Sequence, residues 1–198
     1  MVKLSSELIE NFSGSYLSPR YDDARPTPEF NRQALKLYCS DSPNCMVIAP
    51  RDHAKTTALS VDYILAESLF KSSDYIILVG STEVKAQEIL SNISEELHEN
   101  ELLIKDFKLK EFEVDAKTEL IVVMSDGHRF RILARGAEQR IRGALWKGKR
   151  PNLIVCHKKG TPIFDYELGK WMNNQDHPTA KEIETECIKL SVDFVLFL

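Results

Sequence analysis

Unbroken apolar runs separated by stretches of helical periodicity organise this chain. Met46-Val47-Ile48, Tyr75-Ile76-Ile77-Leu78-Val79 and Leu153-Ile154-Val155-Cys156 are continuous rather than alternating. That is the pattern of parallel strands covered on both faces. Between the first two runs, Leu59, Tyr63, Ala66 and Phe70 recur at i, i+4, i+7 and i+11, which predicts a helix with one face against a core. After the second run, Gly80-Ser81 opens a further helix with Ala86, Ile89, Leu90, Ile93 and Leu97 on one side. Glu29 to Tyr38 reads as a short helix, and Cys39 to Asn44 as a turn cluster. Two more apolar runs, Leu120–Met124 and Arg129–Ala134, flank Ser125-Asp126-Gly127-His128, and Asp-Gly in that setting signals a hairpin. The order predicts a three-layer α/β fold: a mostly parallel sheet with an antiparallel hairpin inserted. Residues 1–28 carry Leu4, Leu8 and Ile9 without sustained periodicity and are expected to form an arm. The domain proper is expected over 29–156, with 157–198 as a tail.

Composition narrows the class. The 198 residues are 43% hydrophobic and 28% charged, enough to bury a real core in one domain. Eight Gly and eight Pro without repeats exclude collagen-like and largely disordered chains. No apolar run approaches the roughly 20 residues of a membrane span, and the first 25 residues lack a signal-peptide stretch, so a soluble, intracellular protein is expected. Cys39, Cys45, Cys156 and Cys187 form no C-x-x-C pair, which favours free thiols in a reducing compartment and no structural zinc. The formal net charge of −4 argues against a surface that clings throughout to nucleic acid. Charge is nevertheless segregated: Glu95–Asp115 holds eight acidic residues and three lysines, and Arg135–Arg150 holds six basic residues against Glu138. Either stretch can be a solvated face, and the basic one can also meet phosphates.

The candidate chemistry lies between the first strand and the next helix. Ala49-Pro50-Arg51-Asp52-His53-Ala54-Lys55-Thr56-Thr57 has the spacing of the phosphate-binding loop G-x-x-x-x-G-K-S/T, with Ala at both glycine positions. Backbone N–H groups at a helix start present fixed dipoles to phosphate. Lys55 would reach the β and γ oxygens of a nucleotide, and Thr56 would hold Mg²⁺. Glycine normally permits the close approach, so the two alanines weaken the pattern, and an ordinary strand-to-helix loop is the competing reading. His53 has no partner for metal or acid–base work and reads as a spacer.

A wider set of blocks carries a resemblance. Pro28-Glu29-Phe30-Asn31-Arg32-Gln33, Ile48 to Thr56, Tyr75 to Thr82, Glu99 to Ile104, Gln139-Arg140-Ile141-Arg142-Gly143 and Arg150 to Val155 together resemble the ATPase domain of the tailed-phage terminase large subunit, over about residues 25–156. The resemblance implies a P-loop NTPase-like domain, here truncated and followed by a short β-rich tail. It implies ATP and Mg²⁺ as cofactors, and a motor that packages viral DNA. Its partners would be the portal protein, the terminase small subunit and double-stranded DNA, with no membrane, in the cytoplasm of an infected or lysogenic host. Oligomerisation would belong to the full-length motor. By the same resemblance Arg51 would contact the γ-phosphate, where a guanidinium stabilises developing charge, and Gln33 would read adenine. Arg140 and Arg142 would lie near the nucleotide or a subunit contact.

The pattern departs from the family where catalysis needs it. An acidic motif should follow the strand Leu153–Cys156, to hold metal and to orient the attacking water. The residues there are His157-Lys158-Lys159. ATP turnover by this chain alone is therefore expected to be negligible. From Cys156 onward, Cys156-His157-Lys158-Lys159-Gly160-Thr161, Gly169-Lys170-Trp171 and Asp176-His177-Pro178 resemble the opening of an intein, a self-splicing Hint domain. That resemblance implies attack of the Cys156 thiol on the Val155 carbonyl. The chain ends at Leu198 before the later splicing motifs, so splicing could not be completed by this polypeptide alone. For this tail the alternatives are a frameshift, an intron read-through or a degenerate C-terminus, with Cys156 then a buried strand residue; for the whole chain the alternative is a nucleotide-independent α/β binding module.

Overall fold

The computed structural model describes residues 4–20, 27–40, 44–47, 60–137, 139, 143–157, 163–165, 170–172 and 193–197. Helix α1 (Ser6–Phe12) is capped by Ser5, whose side chain accepts from Leu8 N. It continues through a π-helical turn, Ser13–Leu17, and a 3-10 turn, Ser18–Arg20. Within the stretch 1–28 expected as an arm, residues 6–20 are thus helical, and Leu4, Ile9, Phe12 and Leu17 are buried in the core. The π turn shifts the phase of the buried side chains, so the 3.6-residue period is not sustained in the sequence.

Helix α2 spans Glu29–Tyr38, as its pattern predicts, and leads into strand β1 (Asn44–Val47). Helix α3 (Asp62–Leu69) is buried along its whole length rather than on one face. Strand β2 (Tyr75–Gly80) precedes α4 (Glu83–Glu99), which buries all five predicted apolar residues. A short helix α5 (Glu101–Phe107) follows, then β3 (Leu109–Ala116), β4 (Glu119–Met124) and β5 (Arg129–Gly136). Strand β6 is Leu153–His157. The tail contributes β7 (Ile163–Asp165) and β8 (Lys170–Met172), which pair with each other, and β9 (Asp193–Phe197).

Seven strands form the main sheet in the order β1-β9-β6-β2-β5-β4-β3. The first five run parallel, and β5-β4-β3 form an antiparallel meander. The predicted hairpin is therefore present but sits at one end of the sheet, with β5 itself parallel to β2. Strand β9 lies inside the sheet, between β1 and β6.

The two faces of the sheet are covered differently. Ile76, Leu78, Phe130, Ile132, Leu153 and Val155 join one cluster with the buried residues of all five α-helices. Tyr75, Ile77, Val79, Leu133, Ile154 and Cys156 point to the other side, where Ala137, Ala144 and Trp146 of the β5–β6 connection pack on them. Three layers were expected. Among the described residues the helices all lie on one face, and an irregular connection crosses the other. No described helix is long and apolar enough to span a membrane.

Candidate functional site

The register puts five strand ends on one level: Val47 opposite Phe197, Phe197 opposite His157, His157 opposite Gly80, and Gly80 opposite Gly136. The chain leaves all five strands at this edge, the side on which open α/β sheets take their ligands. Residues 48–59 begin here, directly after Val47. The predicted phosphate-loop residues Ala49, Pro50, Arg51, Asp52, His53, Ala54, Lys55, Thr56 and Thr57 lie outside the described residues, as do Arg140 and Arg142. What the structure describes is the frame around them.

At the end of β2, Gly80 lets α4 start close against the strand. A Cβ there would lie 2.5 Å from Ala86 N and 2.6 Å from Thr82 O, both backbone atoms. Thr82 caps α4, its hydroxyl accepting from Lys85 N at 3.3 Å. Glu83, in the first turn, accepts from Gln139 Nε2 at 2.9 Å. The other end of that amide accepts from Gly136 N, also at 2.9 Å, and Ala137 N donates to Gly80 O at 3.0 Å. One glutamine therefore ties the helix start to the end of β5. Sequence reasoning passed over it, although Gln139 opens the Arg140–Gly143 block.

On the β1 side, Ser13 Oγ donates to Asp62 Oδ2 at 2.5 Å and fixes the beginning of α3 to the N-terminal helical segment. The rings of Tyr38 and Tyr63 lie 5.2 Å apart, centroid to centroid, with their planes tilted by 51°. Burial holds both phenols well above their ordinary pKa, so both stay neutral hydrogen-bonding groups. Ser73 Oγ donates to the buried Glu67 carboxylate at 2.9 Å.

Two further predicted residues are described. Gln33 is exposed on α2, and its Nε2 donates to Glu29 Oε1 at 3.3 Å. Cys156 is 1% exposed and Val155 fully buried, with Val155 opposite Leu78 on one side and Val195 on the other. The Cys156 side chain is enclosed with Tyr75, Ile77, Val79 and Ile154 on one face of the sheet, a packing position in a strand. Among the described residues, no group of three or more His, Cys, Asp or Glu side chains is arranged to hold a metal ion.

Neither a family model nor a curated protein matches the chain. Solved structures do. The large terminase ATPase domain of Thermus phage P74-26 superposes with a TM-score of 0.59 at 13% identity, covering 100% of this chain and 70% of that one. An arginine-to-alanine mutant of the same domain gives 0.58 at 13% identity, covering 99% and 70%. The superposition covers the whole chain and β9 belongs to the main sheet of this one, and an intein beginning at Cys156 finds no support. At this identity the comparison speaks to architecture: the chain has the α/β fold of a large-terminase ATPase domain.

Proposed function

We propose that this chain is an ATP-binding fragment of a viral DNA-packaging motor, of the terminase large-subunit type. The observation that carries this reading is the position of the phosphate-loop spacing. Ala49–Thr57 follows the carboxyl end of β1, in a sheet whose fold is that of a terminase ATPase domain. On this reading the backbone N–H groups of the loop cradle the phosphates and Lys55 neutralises the β and γ oxygens. Arg51 takes the γ-phosphate, and the Thr56 hydroxyl is the protein's ligand to Mg²⁺. The bound ion would supply charge neutralisation across the phosphates.

The same reading limits the chemistry. Strand β6 ends in Cys156-His157, followed by two lysines, where a metal-holding and a water-orienting carboxylate belong. The chain binds nucleotide and does not turn it over. Portal protein, small subunit and double-stranded DNA are the partners this function implies for the assembled motor. A phosphate-release assay tests the division between binding and turnover. The expected result is release at the background rate, unchanged by Lys55→Ala, whereas Lys55-dependent turnover would contradict the assignment of an incomplete catalytic centre.

A further inference from the structure

Two thiols meet where α2 hands the chain to β1. Cys39 caps the carboxyl end of α2 and is partly exposed, whereas Cys45, the second residue of β1, is 4% exposed. Five residues separate them, and the chain doubles back in between. Cys45 Sγ donates to Leu37 O at 3.2 Å. The same carbonyl accepts from Ser40 N at 3.1 Å and from Ser40 Oγ at 2.6 Å, which closes the turn that carries Cys39. Cys45 Sγ therefore lies against that turn. Ser40 N is joined through one carbonyl carbon to Cys39 Cα, so standard bond lengths leave roughly 9 Å at most between Cys45 Sγ and Cys39 Cα.

The surroundings agree. The rings of Tyr38 and Tyr63 are neighbours at 5.2 Å, and each has one of the thiols beside it. Burial raises both phenol pKa values; charge on Cys45 adds to this at Tyr38, and charge on Glu67 and then on Cys39 adds to it at Tyr63. Cys156 is elsewhere, in the cluster on the opposite face of the sheet. The two thiols also differ in access, since an oxidant reaches Cys39 while the fold shields Cys45. That division suits one thiol that is oxidised and a second that resolves it. A disulfide holds its Cα atoms about 4.4–6.8 Å apart, so a bridge fixes the end of α2 against β1.

We propose that Cys39 and Cys45 are a peroxide-responsive thiol pair that closes to a disulfide and fastens α2 to β1. The Cys39 thiolate attacks a hydroperoxide oxygen: an S–O bond forms, the O–O bond breaks, and the released oxyanion takes up a proton. Cys45, as thiolate, then attacks the Cys39 sulfenic sulfur. The S–S bond forms, the S–O bond breaks, and hydroxide leaves as water with the proton Cys45 gave up. The two sulfurs lose two electrons, which reduce the hydroperoxide. No step involves nucleotide, so the proposal stands apart from the ATP-binding reading.

The test treats the parent chain with hydrogen peroxide, alkylates what remains reduced, and maps tryptic peptides by mass spectrometry without reductant. One peptide, Leu37–Arg51, contains both cysteines. It is expected two hydrogen atoms lighter and unalkylated, and dithiothreitol should restore it. In Cys45→Ser, Cys39 should instead accumulate as a sulfenic acid that dimedone traps, and in Cys39→Ser the Cys45 thiol should stay reduced. The parent's peptide mass decides the matter whether or not the variants fold. Full alkylation of both cysteines after peroxide, over-oxidation of Cys39 without a bridge, or a bridge from Cys39 to Cys187 or to a second chain overturns the proposal.

Discussion

The side-chain amide of Gln139 bridges two elements that the sequence holds far apart, donating to Glu83 at the start of α4 and accepting from Gly136 at the end of β5, each at 2.9 Å. It thereby fixes the point from which the Arg140–Gly143 block departs. Both bonds are part-buried, so their loss is felt. Gln139→Ala should lower stability by about 1–2 kcal/mol, read as a shift in urea midpoint at constant slope. Gln139→Glu should cost more, because it sets a second carboxylate against Glu83. An unchanged midpoint in both variants would remove the bridge from the account.

The N-terminal segment is predicted to be structural. Phe12 is 2% exposed and lies 5.3–5.8 Å, centroid to centroid, from Tyr16, Phe70 and Phe107, joining α1 to the ends of α3 and α5. Truncating such a ring loses its transfer energy and leaves a cavity. Phe12→Ala is expected to cost about 3–5 kcal/mol in equilibrium unfolding. A cost near zero would return this segment to the status of a loose arm.

These relationships show what the sequence made legible and what it hid. The parallel strands β1, β2 and β6 were readable from their apolar runs, and in β2 and β6 burial on both faces is what leaves the run unbroken. Strand β3 was not. Irregular register between Leu109 and Glu111, and between Phe112 and Val114, breaks its alternation, and Lys110, Glu111, Glu113 and Asp115 give it the charge of a solvated edge. Strand β9 is an apolar run in the sequence, but periodicity does not say which strands will flank such a run. Its place between β1 and β6 comes only from the fold. At the candidate site, the spacing of Lys55 and Thr56 is a sequence signal, whereas the bridge made by Gln139 is a consequence of packing.

Stability should fall on acidification through His128. Its side chain is 18% exposed and Nε2 is 3.7 Å from Asp74 Oδ1. Burial lowers its pKa; the Asp74 carboxylate opposes this, Lys71 adds to it, Asp126 opposes it, and Lys149 adds to it. The unfolded chain, with a histidine pKa of about 6.5, therefore takes up the proton first. The contribution is fully present above about pH 6.5 and is lost as pH falls through the lower folded value. Denaturation of His128→Gln should show a smaller difference between pH 7 and pH 5 than the parent chain. An identical difference would assign the acid sensitivity to other groups.

The most direct test of the central claim is calorimetric titration of ATP with Mg²⁺ into the parent chain and into Lys55→Ala. Saturable binding to the parent that is lost in the variant is expected, since Lys55 occupies the phosphate-binding lysine position of the loop. Absence of binding to the parent, or binding that survives Lys55→Ala, would contradict a working phosphate loop and leave an α/β sheet with a terminase architecture and a different purpose.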